Sequence, residues 1–259
     1  MGELKLNQEL LAGLLKALGG FDVVLDFAKA SDTAVHHNVA RPYENMQEGT
    51  ALQEMDEHLK IATIGAVKLI NKILEKERSW DRVVSTLVQS EAFDTGGEDK
   101  YKSSSRTWSN THWFKHRDQH DNIRLETRAW FDELVSDPDV RVDNRVDLEA
   151  IEALVAHAGA KIKDFKSVIF ATERHELPVL DIGILRYPDP DTPYIKLYRI
   201  EILAWCKSTT AGLYYSSDES GLTGNFHVRR FTPRENFAAQ MSEESKNKAL
   251  QEYEKLFSG

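Results

Sequence analysis

Residues 177–206 read LPVLDIGILRYPDPDTPYIKLYRIEILAWC, and this stretch decides the fold class. Two runs rich in β-branched and aromatic residues, 177–186 and 194–206, flank a connector holding Pro188, Pro190 and Pro193 with Asp189 and Asp191. Proline fixes φ and aspartate closes turns through its carboxylate, so the arrangement predicts a hairpin. Working outward, 167–172 reads as a strand before it, and 211–216 and 222–231 as strands after it, the last two separated by SSDESG. Consecutive strands on short links predict an antiparallel meander.

Upstream the apolar period changes from two to three and four. Leu11, Leu14, Leu15 and Leu18 predict a helix over 3–18, ended by Gly19-Gly20, with a short strand over 21–27 after it. Residues 28–49, including His36-His37, read as irregular. Thr50 and Gln53 form a capping box for a long helix whose stripe is Leu52, Met55, Leu59, Ala62, Ala66, Leu69 and Ile73. That stripe fits a core-facing helix and also a coiled coil between two copies of the chain. Ser79 caps a second helix with Trp80, Val83, Val84, Leu87 and Val88 on one side, running to Gly96-Gly97. Residues 94–111, with Gly-Gly and three consecutive serines, read as a flexible loop. A helix follows over 122–136, where alternation at Ile123, Leu125 and Thr127 also allows a strand, and another from Asp147, joined by the turn-rich DPDVRVDNRVD, and Ser242 caps a last one. Helices first and strands late predict an α+β fold: an N-terminal helical layer packed on a C-terminal antiparallel sheet, closed by a C-terminal helix. The expectation is one domain over 1–259, subdividing into a mainly helical 1–160 and a mainly sheet 161–259.

Composition is that of a globular chain, with 41% hydrophobic and 29% charged residues. No apolar run approaches the roughly 20 residues needed to span a bilayer, and the first residues carry acids and no basic leader, so a soluble, cytoplasmic protein is expected. Cys206 is the single cysteine, so no intrachain disulfide can form. A net charge of −9 makes the chain a poor non-specific partner for nucleic acid. The charge is uneven. From Lys100 to Arg128 seven cations face three acids, whereas Asp132 to Glu152 holds eight acids and two cations.

Two candidate sites come from that basic segment. Lys102, Arg106, Lys115, Arg117 and Arg124 interleave with Trp108 and Trp113, a mixture suited to an anionic lipid headgroup or an acidic protein surface. Within it, THWFKHRDQHD (111–121) places His112, His116 and His120 four residues apart. On one helix that spacing stacks the imidazoles on one side, and two of them could share a transition metal, the one cofactor this chain suggests. The third would lie about 12 Å from the first, too far for the same ion. The glutamate of HExxH is absent, as are a nucleophile elbow, a phosphate-binding loop and a dinucleotide fingerprint. Asp189-Pro-Asp191 could hold a divalent ion but reads better as a stiff turn, and Glu173-Arg174-His175-Glu176 as a polar turn. The late aromatics, among them Tyr198 and Trp205, suit either a sheet core or a ligand pocket. The leading expectation is a binding protein acting through 100–128. The alternatives are a metal-dependent enzyme using two of the three histidines, and a structural subunit forming a homo-oligomer through the stripe at 52–73.

Overall fold

The computed structural model describes residues 35–89, 92–94, 97–112, 119–156, 170–211, 215–234 and 242–257. In chain order they form β1 (His36–Val39), α1 (Ala51–Asn71), α2 (Trp80–Val88), β2 (Asp99–His112), α3 (Gln119–Leu134) and α4 (Pro138–Asp143). There follow α5 (Leu148–Ala156), β3 (Phe170–Tyr187), β4 (Tyr194–Ala211), β5 (Tyr215–Phe231) and α6 (Glu243–Phe257). The helix and strand expected at 3–18 and 21–27 lie outside the described residues. No described helix is long and apolar enough to cross a membrane.

The strands make one five-stranded sheet in the order β1-β3-β4-β5-β2. The hairpin read at 177–206 is present, with Tyr187 opposite Tyr194. Three expectations are corrected. The sheet is mixed rather than antiparallel, because β1 pairs parallel with β3, His36 opposite Gly183. It is also not confined to the C-terminal half, since β1 and β2 come from segments read as irregular and as loop. The five late strands are three long ones: the polar stretches taken as turns, Glu173–Glu176 and SSDESG, run inside β3 and β5. The physical reason is common to β2, β3 and β5. Polar side chains cost a strand little when one sheet face is open, and the ladder to β5 for β2, to β4 for this part of β3, and to β4 and β2 for β5 satisfies the backbone.

The helices begin where their caps dictate. Thr50 Oγ1 accepts from Gln53 N at 3.4 Å, while the Gln53 side chain turns back to Gly49 N at 2.6 Å, one residue short of the usual capping-box partner. Ser79, Asp147 and Ser242 cap α2, α5 and α6. Asp137 caps the short α4 that composition read as a connector, with Pro138 in its first turn.

Strand alternation divides the core in two. Odd positions of β4, Ile195 and Leu197, face front with Ile182 and Ile184 of β3 and Phe231 of β5, and pack on Leu59, Ala62, Ala66 and Ile70 of α1 and Val83 and Leu87 of α2. The stripe of α1 therefore faces the chain's own core. Even positions of β4, from Tyr198 to Ala204, face back with Leu222, Phe226 and Val228 of β5, against Trp130 and Leu134 of α3 and Ile151 and Val155 of α5. Tyr198 lies flat over Gly183, where a Cβ would overlap its ring. Gly183→Ala is expected to destabilise the fold by about 2–3 kcal/mol through overpacking, read as a lowered midpoint in urea.

The same alternation sends two adjacent histidines of β1 to opposite faces and into opposite charge states. His36 points back and is 2% exposed. Its Nε2 meets the Tyr198 hydroxyl at 2.6 Å and Asp143 at 3.4 Å, and its Nδ1 lies 3.3 Å from Asp181. Tyr198 donates to Asp143 at 2.7 Å, so its oxygen accepts from His36. Burial opposes a charge here, but the carboxylates of Asp143 and Asp181 outweigh it and hold the imidazolium, with its pKa raised to about 9. His37 points front. Its Nδ1 is 3.1 Å from Arg186 Nη1 and 2.8 Å from the Tyr253 hydroxyl of α6. A guanidinium only donates, so Nδ1 is the bare acceptor and the ring is neutral. Burial and the Arg186 charge press its pKa down to about 3.

Candidate binding face

The basic and acidic segments fold onto each other on the back of the sheet. The expected loop at 94–111 is largely β2, which runs beside β5 from Asp99↔Arg229 to His112↔Ser216. Its even residues face α3. Lys102 pairs with Glu133 at 3.4 Å and Arg106 with Glu126 at 2.7 Å. Trp108 Nε1 also donates to Glu126, at 2.7 Å. Arg128 of α3 binds Glu152 of α5 at 2.5 Å. Arg124 stands exposed on α3. Thus Lys102, Arg106 and Trp108 come together, but around the chain's own carboxylates. Trp113, Lys115, Arg117 and His116 lie outside the described residues. The one-helix arrangement of the histidines is corrected: His112 ends β2 and His120 is the second residue of α3. The strand pairing of Asp99–His112 prevents a helix from starting before the first of them. Among the described residues, no group of three or more His, Cys, Asp or Glu is placed to hold a metal ion.

The odd residues of β2 face front, where the described helices cover only part of the sheet. Hydrogen-bonded register sets out the rows: Tyr101–His227–Arg199, then Ser103–Asn225–Glu201, Ser105–Thr223–Leu203 and Thr107–Gly221–Trp205. Ser103, Ser105, Thr107, Thr223, Leu203 and Glu176 are all exposed. At the first row the end of α1 and the start of α2 stand over the sheet. They leave a groove of about 910 Å³ lined by Leu74, Lys76, Arg78, Trp80, Arg199 and His227, with Asp81, Glu201 and Leu180 completing it.

Three rings meet beside this groove. Trp80, fixed as the first residue of α2, lies 5.0 Å from His227 at an interplanar angle of 21°. Tyr101 lies 4.6 Å from His227 at an interplanar angle of 34° and is itself 61% exposed. Burial beside the Arg199 guanidinium lowers the His227 pKa, so it serves as a neutral ring. The Tyr101 hydroxyl donates to Asn225 at 3.1 Å, which fixes the plane of the exposed ring. Arg199 donates from Nε to the Arg78 carbonyl at 3.1 Å and from Nη1 to Glu201 at 2.9 Å, tying the groove floor to its rim. That bond to Arg199 depresses the Glu201 pKa and keeps it ionised. The groove carries Lys76, Arg78 and Arg199 against Asp81 and Glu201, three cations to two acids in a chain of net charge −9.

Other candidates are occupied by structural contacts. Asp189 accepts from the backbone of Asp191 and Thr192, at 2.9 and 3.1 Å, and serves as the turn. Arg174 pairs with Glu176 at 2.5 Å inside β3. A cavity of about 380 Å³ touches Asn38, Asp139 and Asp143. There Asp143 already accepts from Asn38 and Tyr198, and Asp139 from Tyr187 and Lys196.

Compared with known proteins, the chain matches no family model and no curated protein sequence. The signal that could have found the front face was in YRIEILAW. There Arg199, Glu201, Leu203 and Trp205 alternate with buried Tyr198, Ile200, Ile202 and Ala204. Only tertiary structure brings Trp80 and Tyr101 to the same row.

Proposed function

We propose that this protein is a binding protein whose ligand is a small anion bearing a ring, held in the groove on the front face. The observation that carries the reading is the stack of Trp80, His227 and Tyr101 beside a groove with Lys76, Arg78 and Arg199 in its lining. An exposed ring fixed by its own hydroxyl bond offers a flat apolar surface at low entropic cost, and the Arg78 guanidinium and Lys76 ammonium fix the acid by charge-assisted bonds. Glu201 is suited to binding rather than to proton transfer. A carboxylate held ionised by Arg199 is a poor general acid or base near neutral pH. The partner remains anionic, as the basic segment suggested, but the contact moves from the even to the odd side of β2, because Glu126 and Glu133 neutralise the even side.

The test is calorimetric titration with glucuronate and with adenosine monophosphate, with tryptophan fluorescence as a second readout. At least one probe is expected to saturate, and Tyr101→Ala and Arg78→Ala are each expected to weaken it about tenfold, roughly 1.4 kcal/mol. Reversing Lys102 and Arg106 to glutamate is expected to change affinity less than about twofold. Loss of binding in that reversal, with Tyr101→Ala unaffected, would return the site to the back face and overturn the proposal.

A further inference from the structure

The front face carries a second aromatic platform remote from the groove. A Cβ on Gly221 would lie 2.8 Å from Cε2, Cζ2 and Nε1 of Trp205, so the indole lies flat on the β5 backbone where that residue has no side chain. Trp205 is half-buried, and the Arg174 guanidinium stands over its ring, 5.9 Å from the centre. Leu203, two residues back on the same face, is 37% exposed. Six residues of β4 separate the Arg199 row from Trp205, about 20 Å at strand rise. Between the two platforms stand the exposed hydroxyls of Ser103, Ser105 and Thr223, with exposed Glu201 and half-buried Asn225. Cations stand at both ends: Lys76 and Arg78 by the groove, Arg174 and Lys207 by Trp205.

From this spacing we infer that the ligand is a chain, an acidic polysaccharide lying along β4 and β5 with one sugar ring against Tyr101 and another on Trp205. The inference rests on the groove reading and names its ligand class. A pyranose has a flat C–H face that packs on an aromatic ring and a rim of hydroxyls that bond serine, threonine, asparagine and carboxylate. A uronate adds the carboxylate that Arg78 would receive at one end and, at the other, Arg174, whose contact with Glu176 is through Nη2 and whose fork has further donors. An anionic membrane fits less well, since Glu176 and Glu201 stand exposed on this face and interrupt its apolar area.

Two platforms joined by one ligand act as linked sites, so affinity rises once the chain spans both. Calorimetry with galacturonic acid and its oligomers of increasing length tests this. A hexamer is expected to bind at least about a hundredfold tighter than the monomer. Trp205→Ala, checked for folding by its thermal midpoint, is expected to reduce hexamer affinity at least tenfold and to change the monomer less than twofold. Gly221→Val, which lifts the indole off the strand, is expected to act in the same sense. A hexamer no tighter than the monomer, or one indifferent to Trp205→Ala, would overturn the chain ligand and leave the groove reading standing. Equal binding of maltohexaose would overturn the acidic class, and so would binding to phosphatidylserine vesicles with none to the hexamer. Binding of neither monomer nor hexamer, while adenosine monophosphate still binds in the groove, would overturn the saccharide alone. Failure of every probe would overturn both readings.

Discussion

Replacing Arg186 by methionine is expected to lower the unfolding free energy by about 3–5 kcal/mol, the cost of leaving a buried charge without its partner. Arg186 projects from the front of β3 into the seam between α1 and α6. Its side chain and that of Asp56 are 5% and 3% exposed, and they meet at 2.8 Å through Nε and 3.4 Å through Nη2. The same guanidinium donates to Tyr253 of α6, and Tyr253 in turn reaches His37 of β1. One side chain thus joins β3, β1, α1 and α6. Lys60 stays 3.2 Å from Asp56 and offsets part of the loss. Arg186→Lys is expected to rescue little, because an ammonium cannot reproduce the fork that serves Asp56 and Tyr253 together. The double variant Arg186→Met/Asp56→Leu is expected to recover at least half of the loss, since it removes the orphaned carboxylate. Urea melts at neutral pH give both numbers. A single variant that costs less than about 1 kcal/mol, or a double variant weaker than the single, would show that the pair does not act as described.

Stability is expected to peak between about pH 6 and 7 and to fall on both sides, each side set by one of the paired histidines. For His36 the folded pKa, about 9, lies above the unfolded value of 6.5. Its contribution is whole below pH 6.5 and is lost as the pH rises through 9. For His37 the folded pKa, about 3, lies below 6.5. Above pH 6.5 it is neutral in both states and costs nothing. As the pH falls from 6.5 toward 3, only the unfolded chain takes up the proton, and stability drops. Each pH unit between a group's folded and unfolded pKa is worth about 1.4 kcal/mol, so the alkaline limb is on the order of 3 kcal/mol and the acid limb on the order of 5 kcal/mol. Acid adds a further loss from Asp143. Its own burial favours the neutral form, but His36, Asn38 and Tyr198 outweigh this and hold its carboxyl below the usual range. Denaturant melts at pH 4.5, 6.5 and 9.5 measure both limbs. His36→Gln is expected to flatten the alkaline limb and to keep the part of the acid limb that burial and Arg186 impose on His37. Stability that holds level from pH 6.5 to 9.5 in the unaltered protein would count against the charged His36.

The two limbs belong to neighbouring residues of a four-residue strand, and nothing in His36-His37 as a dipeptide distinguishes them. Strand alternation assigns one to a pair of carboxylates from α4 and β3, the other to an arginine from β3. The three histidines at 112–120, more conspicuous in the sequence, end up on two different elements with one of them outside the described residues.

The sequence by itself determined what depends on near neighbours along the chain. The caps at Thr50, Ser79, Asp147 and Ser242, the apolar stripe of α1 and the 187–194 hairpin are all local, because a cap or a turn is completed within four residues and a helix stripe repeats every three or four. Even Asp137-Pro138, passed over as a turn, is a helix start by the same local rule. Tertiary structure decided what depends on the far side of a ladder. Ser103-Ser104-Ser105 has the composition of a loop and becomes a strand only because Thr223, Gly224 and Asn225 of the distant β5 supply its backbone partners. Whether Lys102 and Arg106 are free cations or partners of Glu133 and Glu126 depends on which side of β2 they occupy, and that in turn on where α3 lies. The front face follows the same logic. Trp80, Tyr101, Arg199 and His227 come from four separate elements, and only the register of the sheet and the start of α2 set them in one row.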